Sequence, residues 1–369
     1  MDDLKYWVAF SRIPLLGTAR FQLLEGYFPS LRDAWQASAH DLKAAGLDSK
    51  TVTTVQARRG KIEPDEELSR LESAGVSALT WRDSGYPARL KEIPDPPPVL
   101  YVRGSLTSED ERSIAVVGTR KATAYGREAV STLTADLASR RITIVSGLAR
   151  GIDTEAHRTA LEAGGRTIAV LAHGLDSVYP PENSNLARQI TETGALISEH
   201  ALGMRPNPHY FPRRTRLMSG ISLGTLAVEA GPGSGAFWTV RHALEQNREV
   251  FCVPGSIFSP ASLGTNQLIQ EGAKLVLDYR DVLKEINLSA LAQQAEMQLL
   301  IPSVEEEEAR LLGVMTTEPI HIDEICRDAE LPVSAVSSSL TLMELKGLVK
   351  RVGGMHYVRT REVAAAYGN

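Results

Sequence analysis

The chain has 369 residues, 43% of them hydrophobic and 23% charged, with a net charge of -5 at neutral pH. That length exceeds one ordinary domain and that composition belongs to a chain that folds, so two or three domains are expected and a disordered polymer is excluded. The negative balance excludes a molecule that is basic over its whole surface, and any contact with nucleic acid has to come from a local patch.

Two cysteines occur, Cys252 inside the apolar run 250–253 and Cys326 in a separate charged segment. The pair supports neither a disulfide nor a thiolate metal site, and suits a reducing cytoplasm. The opening MDDLKYW lacks a basic stretch followed by an apolar core, and no apolar run reaches the roughly eighteen residues of a membrane span. Neither secretion nor membrane insertion is expected.

Residues 1–70 come first. Apolar residues recur at helical spacing from Leu4 to about Gly60, with breaks at residues 14–17, 29–30 and 46–49, which predicts a small helical domain. Residues 71–104 read as an extended linker packed on the core of the next domain, because four prolines within residues 94–98 forbid regular helix. From 105 to 286, β-branched runs (SIAVVG, ITIVSG, TIAVLA, ALISE, LGTLAVEA, VFCVPG, KLV) alternate with amphipathic stretches at 125–141, 151–163, 237–246 and 263–271. Alternating strand and crossover helix predicts an α/β fold, a Rossmann-like, doubly wound and mainly parallel sheet. A polar stretch, 287–303, is expected to link it to a last domain, 304–369. There helical periodicity ends in two β runs, 348–352 and 355–358, around Gly353-Gly354, and three helices with a hairpin make a winged helix.

Ligands of such sheets bind at the carboxyl ends of the strands, near helix N-termini. VGTRKATAYG places Arg120 and Lys121 in the turn before a helix starting near Tyr125, where backbone amides and a guanidinium suit a phosphate; the alternative is a solvated loop arginine. The dinucleotide fingerprint is absent after Gly118, so no nicotinamide cofactor is expected, nor any other cofactor or metal. SGLARGID sets Ser146, Gly147 and Gly151 around Arg150, with Ser146 and exposed amides as donors to phosphate oxygens; Arg150 serves that anion or pairs with Asp153. His157, without a second ligand at a meaningful spacing, reads as structural. In AHGLDSVYPPENSNLARQI, Tyr179 either stacks on a base or packs, and Asn183 is a candidate cap for the next helix.

The stretch GMRPNPHYFPRRTRLMSG, residues 203–220, holds four arginines and no acid. Arg213, Arg214 and Arg216 interleaved with Tyr210 and Phe211 suit phosphates flanked by bases, against the alternative of a solvated basic helix start. VEAGPGSGAFWTVRHA ends a strand at Glu229 and opens a helix near Phe237; it holds another anion, or Phe237 and Trp238 serve as core.

Together SGLARGID, GLDSVYPPEN, FPRRTRLMSG, VEAGPGSGAFWTVRHA and VFCVPGSIFSPASLGTNQLIQEGAKLV, with YPARLKEIPDPPPVLYVRG and VGTRKATAYG before them, resemble the DNA-processing protein A family (DprA, also called Smf) over roughly residues 85–277. The resemblance implies single-stranded DNA binding, self-association as a homodimer through the Rossmann-like domain, and delivery of incoming DNA to a RecA-type recombinase in natural transformation. Its motifs carry over Arg120, Ser146, Gly147, Arg150, Arg213 and Arg216. The departures are Thr215 where similar proteins have asparagine, the run 234–240 in place of SGSLxTA, and Pro181 where relatives often place a basic residue. The N-terminal segment resembles the helix-hairpin-helix or SAM-like domain of these proteins, with IPLLGTARFQLLEGYF as the hairpin.

In the last domain the recognition helix, expected at 334–346, carries one lysine and one glutamate, and residues 304–361 hold ten acids against seven lysines or arginines. A protein-contact or regulatory module is therefore expected there rather than a reader of the major groove. The rival function is a nucleotide-processing enzyme, since phosphoribohydrolases of related fold also place glycines and glutamates at strand ends. Their PGGxGTxxE loop would fall at AGPGSGAFWTV, which lacks the following glutamate, so no catalysis is expected.

Overall fold

The computed structural model describes residues 3–288, 306–316, 318–346 and 348–360. The chain divides into two compact units, Met1–Ser289 and Ala290–Asn369. The stretch read as a second linker, 287–303, falls almost wholly outside the described residues.

Six helices open the first unit: α1 Leu4–Ser11, α2 Thr18–Tyr27, α3 Leu31–Gln36, α4 Ala39–Ala44, α5 Ser49–Arg59 and α6 Pro64–Ser73. Ser30, Ser38 and Asp48 start three of them by accepting the backbone N–H of Asp33, Asp41 and Thr51, caps that contribute about 1 kcal/mol each. Trp7, Phe10, Phe21 and Trp35 fill the space between, with Phe10 edge-on to Trp35 at 4.9 Å between centroids. This core continues onto one face of the sheet: Ser11 Oγ lies 2.6 Å from the Tyr101 hydroxyl, and Thr18 Oγ1 donates to the Pro96 carbonyl at 2.8 Å. The helical segment is thus a layer of the first unit.

The segment expected as a linker differs from that reading, because it supplies two strands: β1 Ser77–Thr80 and β2 Val99–Gly104, with the short helix α7 Ala88–Lys91 between them. The prolines do keep 94–98 irregular, but the run after them buries Leu100 and Tyr101 completely and pairs antiparallel with a strand far along the chain. It covers what would otherwise be an open sheet edge.

Seven strands come next: β3 Ser113–Val117, β4 Thr143–Ser146, β5 Thr167–Val170, β6 Ala195–Ser198, β7 Gly224–Ala227, β8 Glu249–Cys252 and β9 Lys274–Leu275. The sheet order is β1-β2-β6-β5-β4-β3-β7-β8-β9, with β3 to β9 parallel. These are the seven β-branched runs; β3 to β7 are buried at every residue because helices cover both faces. The connecting helices are α8 Ala124–Ser139, α9 Ile152–Glu162, α10 Ser184–Thr193, α11 Tyr210–Ile221, α12 Ala236–Glu245 and α13 Leu263–Gln270, with α14 Tyr279–Glu285 last. The strand order reverses between β3 and β7, which makes their carboxyl ends the switch point.

The second unit contains α15 Glu306–Val314, β10 Ile320–His321, α16 Ile322–Ala329, α17 Val333–Leu345, β11 Val349–Gly353 and β12 His356–Arg359, in the sheet order β10-β12-β11. Leu311, Ile325, Val336, Leu340, Met343 and Leu348 form its core. It is the expected winged helix, with a short first strand that the hairpin reading did not contain. Among the described residues no helix is long and apolar enough to cross a membrane.

His157 of α9 is fully buried, and its Nδ1 lies 2.6 Å from Thr167 Oγ1. Thr167 spends its only proton on the Ile144 carbonyl at 2.7 Å, so it accepts from His157. The proton therefore sits on Nδ1, and Nε2 is a bare lone pair without a partner among the described residues. Burial first, and the charge of Arg214 second, pull the imidazole down to about 3. The unfolded chain takes up a proton below about pH 6.5 that the folded chain refuses, so His157 makes stability fall as pH drops from 6.5 towards 3. At pH 5 its share amounts to about 2 kcal/mol. Chemical denaturation at pH 7 and pH 5 should show this loss in the intact protein and a smaller one in His157→Asn, whatever the variant's absolute stability; an equal pH dependence would refute the assignment.

Candidate nucleic-acid interface

In nucleotide-binding sheets of this topology the helix N-terminus at the switch point holds a phosphate. Here that place is taken. Glu229, buried at the end of β7, accepts from Thr123 N at 3.0 Å and from Thr123 Oγ1 at 2.6 Å, while its carbonyl accepts from Thr119 N at 2.8 Å. Thr123 in turn caps α8 by accepting from Gly126 N at 3.1 Å. A Cβ on Gly126 would run into the Glu229 carboxylate. In the turn after β3 the Thr123 amide is thus already given to an internal carboxylate, whereas the Arg120 and Lys121 side chains stand exposed.

The loop after β4 repeats the arrangement. Asp153, buried on the first turn of α9, accepts from Gly147 N at 3.2 Å and Ala149 N at 3.4 Å. Ser146 Oγ is fully buried and donates to the Val116 carbonyl at 2.6 Å, so it does not face a ligand. Gly151 has φ +77°, and a Cβ there would collide with the backbone of Thr119 and Arg120, which is how the two loops come into contact. Burial raises the Asp153 carboxyl against the pull of Arg214, and burial lowers the Arg214 guanidinium against the pull of Asp153.

Six of the ten residues singled out in the sequence meet in one cavity: Arg120, Gly147, Arg150, Tyr179, Phe211 and Arg214, joined by Ala149 and Pro180. Phe211 is its hub. The Tyr179 ring stands edge-on to it at 5.9 Å, and the guanidinium carbons of Arg120 and Arg214 lie 5.7 and 5.6 Å from its centroid. Arg214 is buried and donates to the Gly147 carbonyl, a contact that a side chain on Gly147 would obstruct. Arg150 points outward and pairs with Glu182 rather than with Asp153. Asn183 ties the wall together, donating from Nδ2 to the Leu148 carbonyl and to Thr154 Oγ1, both at 2.9 Å, without capping α10.

The other four divide. Lys121 and Arg213 are exposed, Arg213 reaching Asp95 only at 3.9 Å. Ser146 and Arg216 are buried; Arg216 is held by Glu199 at 2.6 Å and Asp95 at 3.3 Å. Tyr210 lies against His200, 4.4 Å between centroids, and Thr215 Oγ1 turns back to the Pro212 carbonyl at 2.7 Å. Trp238, read as a phosphate-loop neighbour or as core, is 46% exposed. The signal was present in the sequence: Ala236, Thr239, Val240 and Ala243 form the buried stripe of α12, and position 238 falls off it. Among the described residues no group of histidine, cysteine or carboxylate side chains could hold a metal ion.

The sequence profile of the DNA recombination-mediator protein A family matches residues 77–287, and that of the DprA winged helix domain matches residues 295–355. Protein Smf of Synechocystis is 33% identical over 96% of this chain and 98% of its own length. DNA processing protein DprA of Streptococcus pneumoniae is 42% identical over 60% of this chain and 78% of its own. The X-ray structure of DNA processing protein A from Streptococcus pneumoniae superposes with a TM-score of 0.65 at 34% identity, covering 76% of this chain and 96% of that one. That of the Helicobacter pylori protein, described for its single-stranded DNA binding mode, gives 0.52 at 29%, covering 59% and 96%. With a profile match across the whole α/β sheet and a relative aligned almost end to end, the chain belongs to the DNA recombination-mediator protein A family, that of DprA and Smf.

Proposed function

We propose that this chain binds single-stranded DNA around the Phe211 cavity, acts as a homodimer, and delivers incoming DNA to a RecA-type recombinase in natural transformation. The observation that carries the reading is the cavity itself, where Arg120, Arg150 and Tyr179 stand exposed around a half-buried Phe211. Aromatic faces take bases of any identity and guanidinium groups take the phosphates between them. The Helicobacter pylori relative, with its single-stranded DNA binding mode, supports the same ligand. Family membership supports the recombinase role. For the homodimer, β9 ends the sheet with Leu275 exposed, and Leu277, Ile257 and Phe258 are exposed in the loops after β9 and β8, apolar side chains that a second copy would cover. The two unpaired thiols fit a cytoplasmic site of action.

The enzyme reading is weaker. Glu229, the carboxylate at the switch point, is bound to Thr123 as a cap, and the neutral imidazole of His157 is sealed in the interior, so neither is presented to a ligand in the cavity as an acid or base. Incubating the protein with nucleoside monophosphates should release neither base nor ribose phosphate; release that disappears on Glu229→Gln would establish the enzyme instead.

Binding should be strong for single strands, weaker for duplex of equal length, insensitive to sequence and steeply salt-dependent. Arg120→Ala and Arg213→Ala should each weaken it several-fold at an unchanged thermal midpoint. Arg216→Ala should act differently: it leaves Glu199 buried without its partner, a loss of about 3–5 kcal/mol of stability. Anisotropy titrations at two salt concentrations, beside thermal melts, separate these effects; equal affinity for duplex, or a full-strength Arg120→Ala/Arg213→Ala double variant, would move the site elsewhere.

For the winged helix we propose a protein-contact or regulatory role, since its acids outnumber its lysines and arginines. A chain ending at Ser303, beyond the boundary of the first unit, should keep its affinity for single-stranded DNA within about twofold. A tenfold loss, about 1.4 kcal/mol, in a truncated protein that still melts cooperatively would assign DNA contacts to the second unit.

A further inference from the structure

The first turn of α11 has cavities on two sides. Phe211 and Arg214 line the one already described, whereas Pro212, Arg213 and Arg216 line a second groove of about 340 Å³ whose far wall is Trp238 and His242 of α12 and whose floor includes Ile93 and Pro94. Trp238 is the one large aromatic of this groove and stands 46% exposed, in the stretch where the chain departs from SGSLxTA.

We propose that this groove is a second base-binding subsite of the DNA track, in which Trp238 stacks on a nucleobase and Arg213 at the mouth meets the adjoining phosphate. It rests on the single-stranded DNA reading above. The charges around the groove favour a neutral ring as occupant. Asp95 is engaged by Thr18 and Arg216, whose pull outweighs its burial and holds the carboxyl below its ordinary range. Glu245 is engaged by Arg241 at 2.9 Å and His242 at 3.3 Å. Gln246 is spent on Ser219 and the Arg216 carbonyl. What remains is a flat indole, an apolar floor and the outward guanidinium of Arg213. Stacking is tolerant of base identity because every base has a π-face.

Trp238 also reports on itself. Of the four tryptophans, Trp7 and Trp35 are buried and Trp81 is held by Glu25 at 2.7 Å, all in the N-terminal layer. Adding an oligothymidylate of roughly 20 nucleotides, longer than one such site covers, to the full chain should quench tryptophan emission. In Trp238→Phe the quench should vanish while anisotropy shows binding retained, with a smaller loss of affinity than in Trp238→Ala. In Trp238→Ala affinity should fall about tenfold, with an unchanged thermal midpoint. Binding by the intact protein without quenching, together with full affinity in Trp238→Ala, overturns the subsite and leaves the Phe211 site standing, which Arg120→Ala then verifies by losing affinity. An intact protein that binds no oligothymidylate overturns both. Emission that changes with protein concentration in the absence of DNA, and is then indifferent to DNA, makes the groove a contact between copies and also overturns the proposal.

Discussion

Glu229 decides what this sheet can bind. At the point where the strand order reverses, the Glu229 carboxylate, just after β7, reaches across to the start of α8 and takes the amide and the hydroxyl of Thr123. Asp153 does the same for the amides of the loop after β4. Both sit where the positive end of a helix favours negative charge, and both are closed over by the chain. A mononucleotide that lodged its phosphate there would have to expel a buried carboxylate or lie beside it. The proposed polyanionic ligand would instead meet side chains further out and leave these two internal acids in place.

Arg214 transmits that constraint to the cavity. Its charge is the counterpart of buried Asp153, its guanidinium donates to the Gly147 carbonyl, and its face lies against Phe211. One side chain thus fixes the loop after β4, the aromatic hub and the first turn of α11 together. The planar fork of arginine permits a hydrogen bond at its edge and a ring at its face at once, which an ammonium does not. The same charge lies close enough to His157 to disfavour a second proton there.

The strands were legible because each is a short β-branched run between glycines or turns, and burial on both faces demands that composition. Residues 94–98 show what local pattern misses. Their prolines correctly exclude regular structure, yet Leu100 and Tyr101 become strand only because the edge of β6, distant in sequence, needs a partner. In the basic stretch, composition does not say which arginine faces water. Periodicity does: Leu217, Met218 and Ile221 are the buried apolar stripe of α11, and Arg214 stands one helical turn before it, on the same side. Arg216 required knowledge of Glu199 and Asp95, which no spacing within the stretch reveals. Ser146 misled because its motif matches the family, whereas its hydroxyl satisfies a carbonyl of the neighbouring strand.

The arginines of the interface fall into two energetic kinds, and that difference orders their roles. Arg150 and Glu182 are both exposed, so breaking the pair exposes each partner to water that solvates it nearly as well. In the proposed DNA reading a phosphate would replace Glu182 at little cost, the acid holding the guanidinium in place until then. Arg216 and Glu199 are 8% and 13% exposed at their side chains, and separating them strands a charge in a poorly hydrated interior. Arg216 must keep its carboxylate whatever binds outside, and in the proposed single-stranded DNA reading it serves by holding the start of α11, from which Arg213 faces outward. A net charge of -5 is therefore compatible with the proposed polyanionic ligand, since Glu199 is closed in with Arg216 and Glu182 is an exposed partner that Arg150 can exchange.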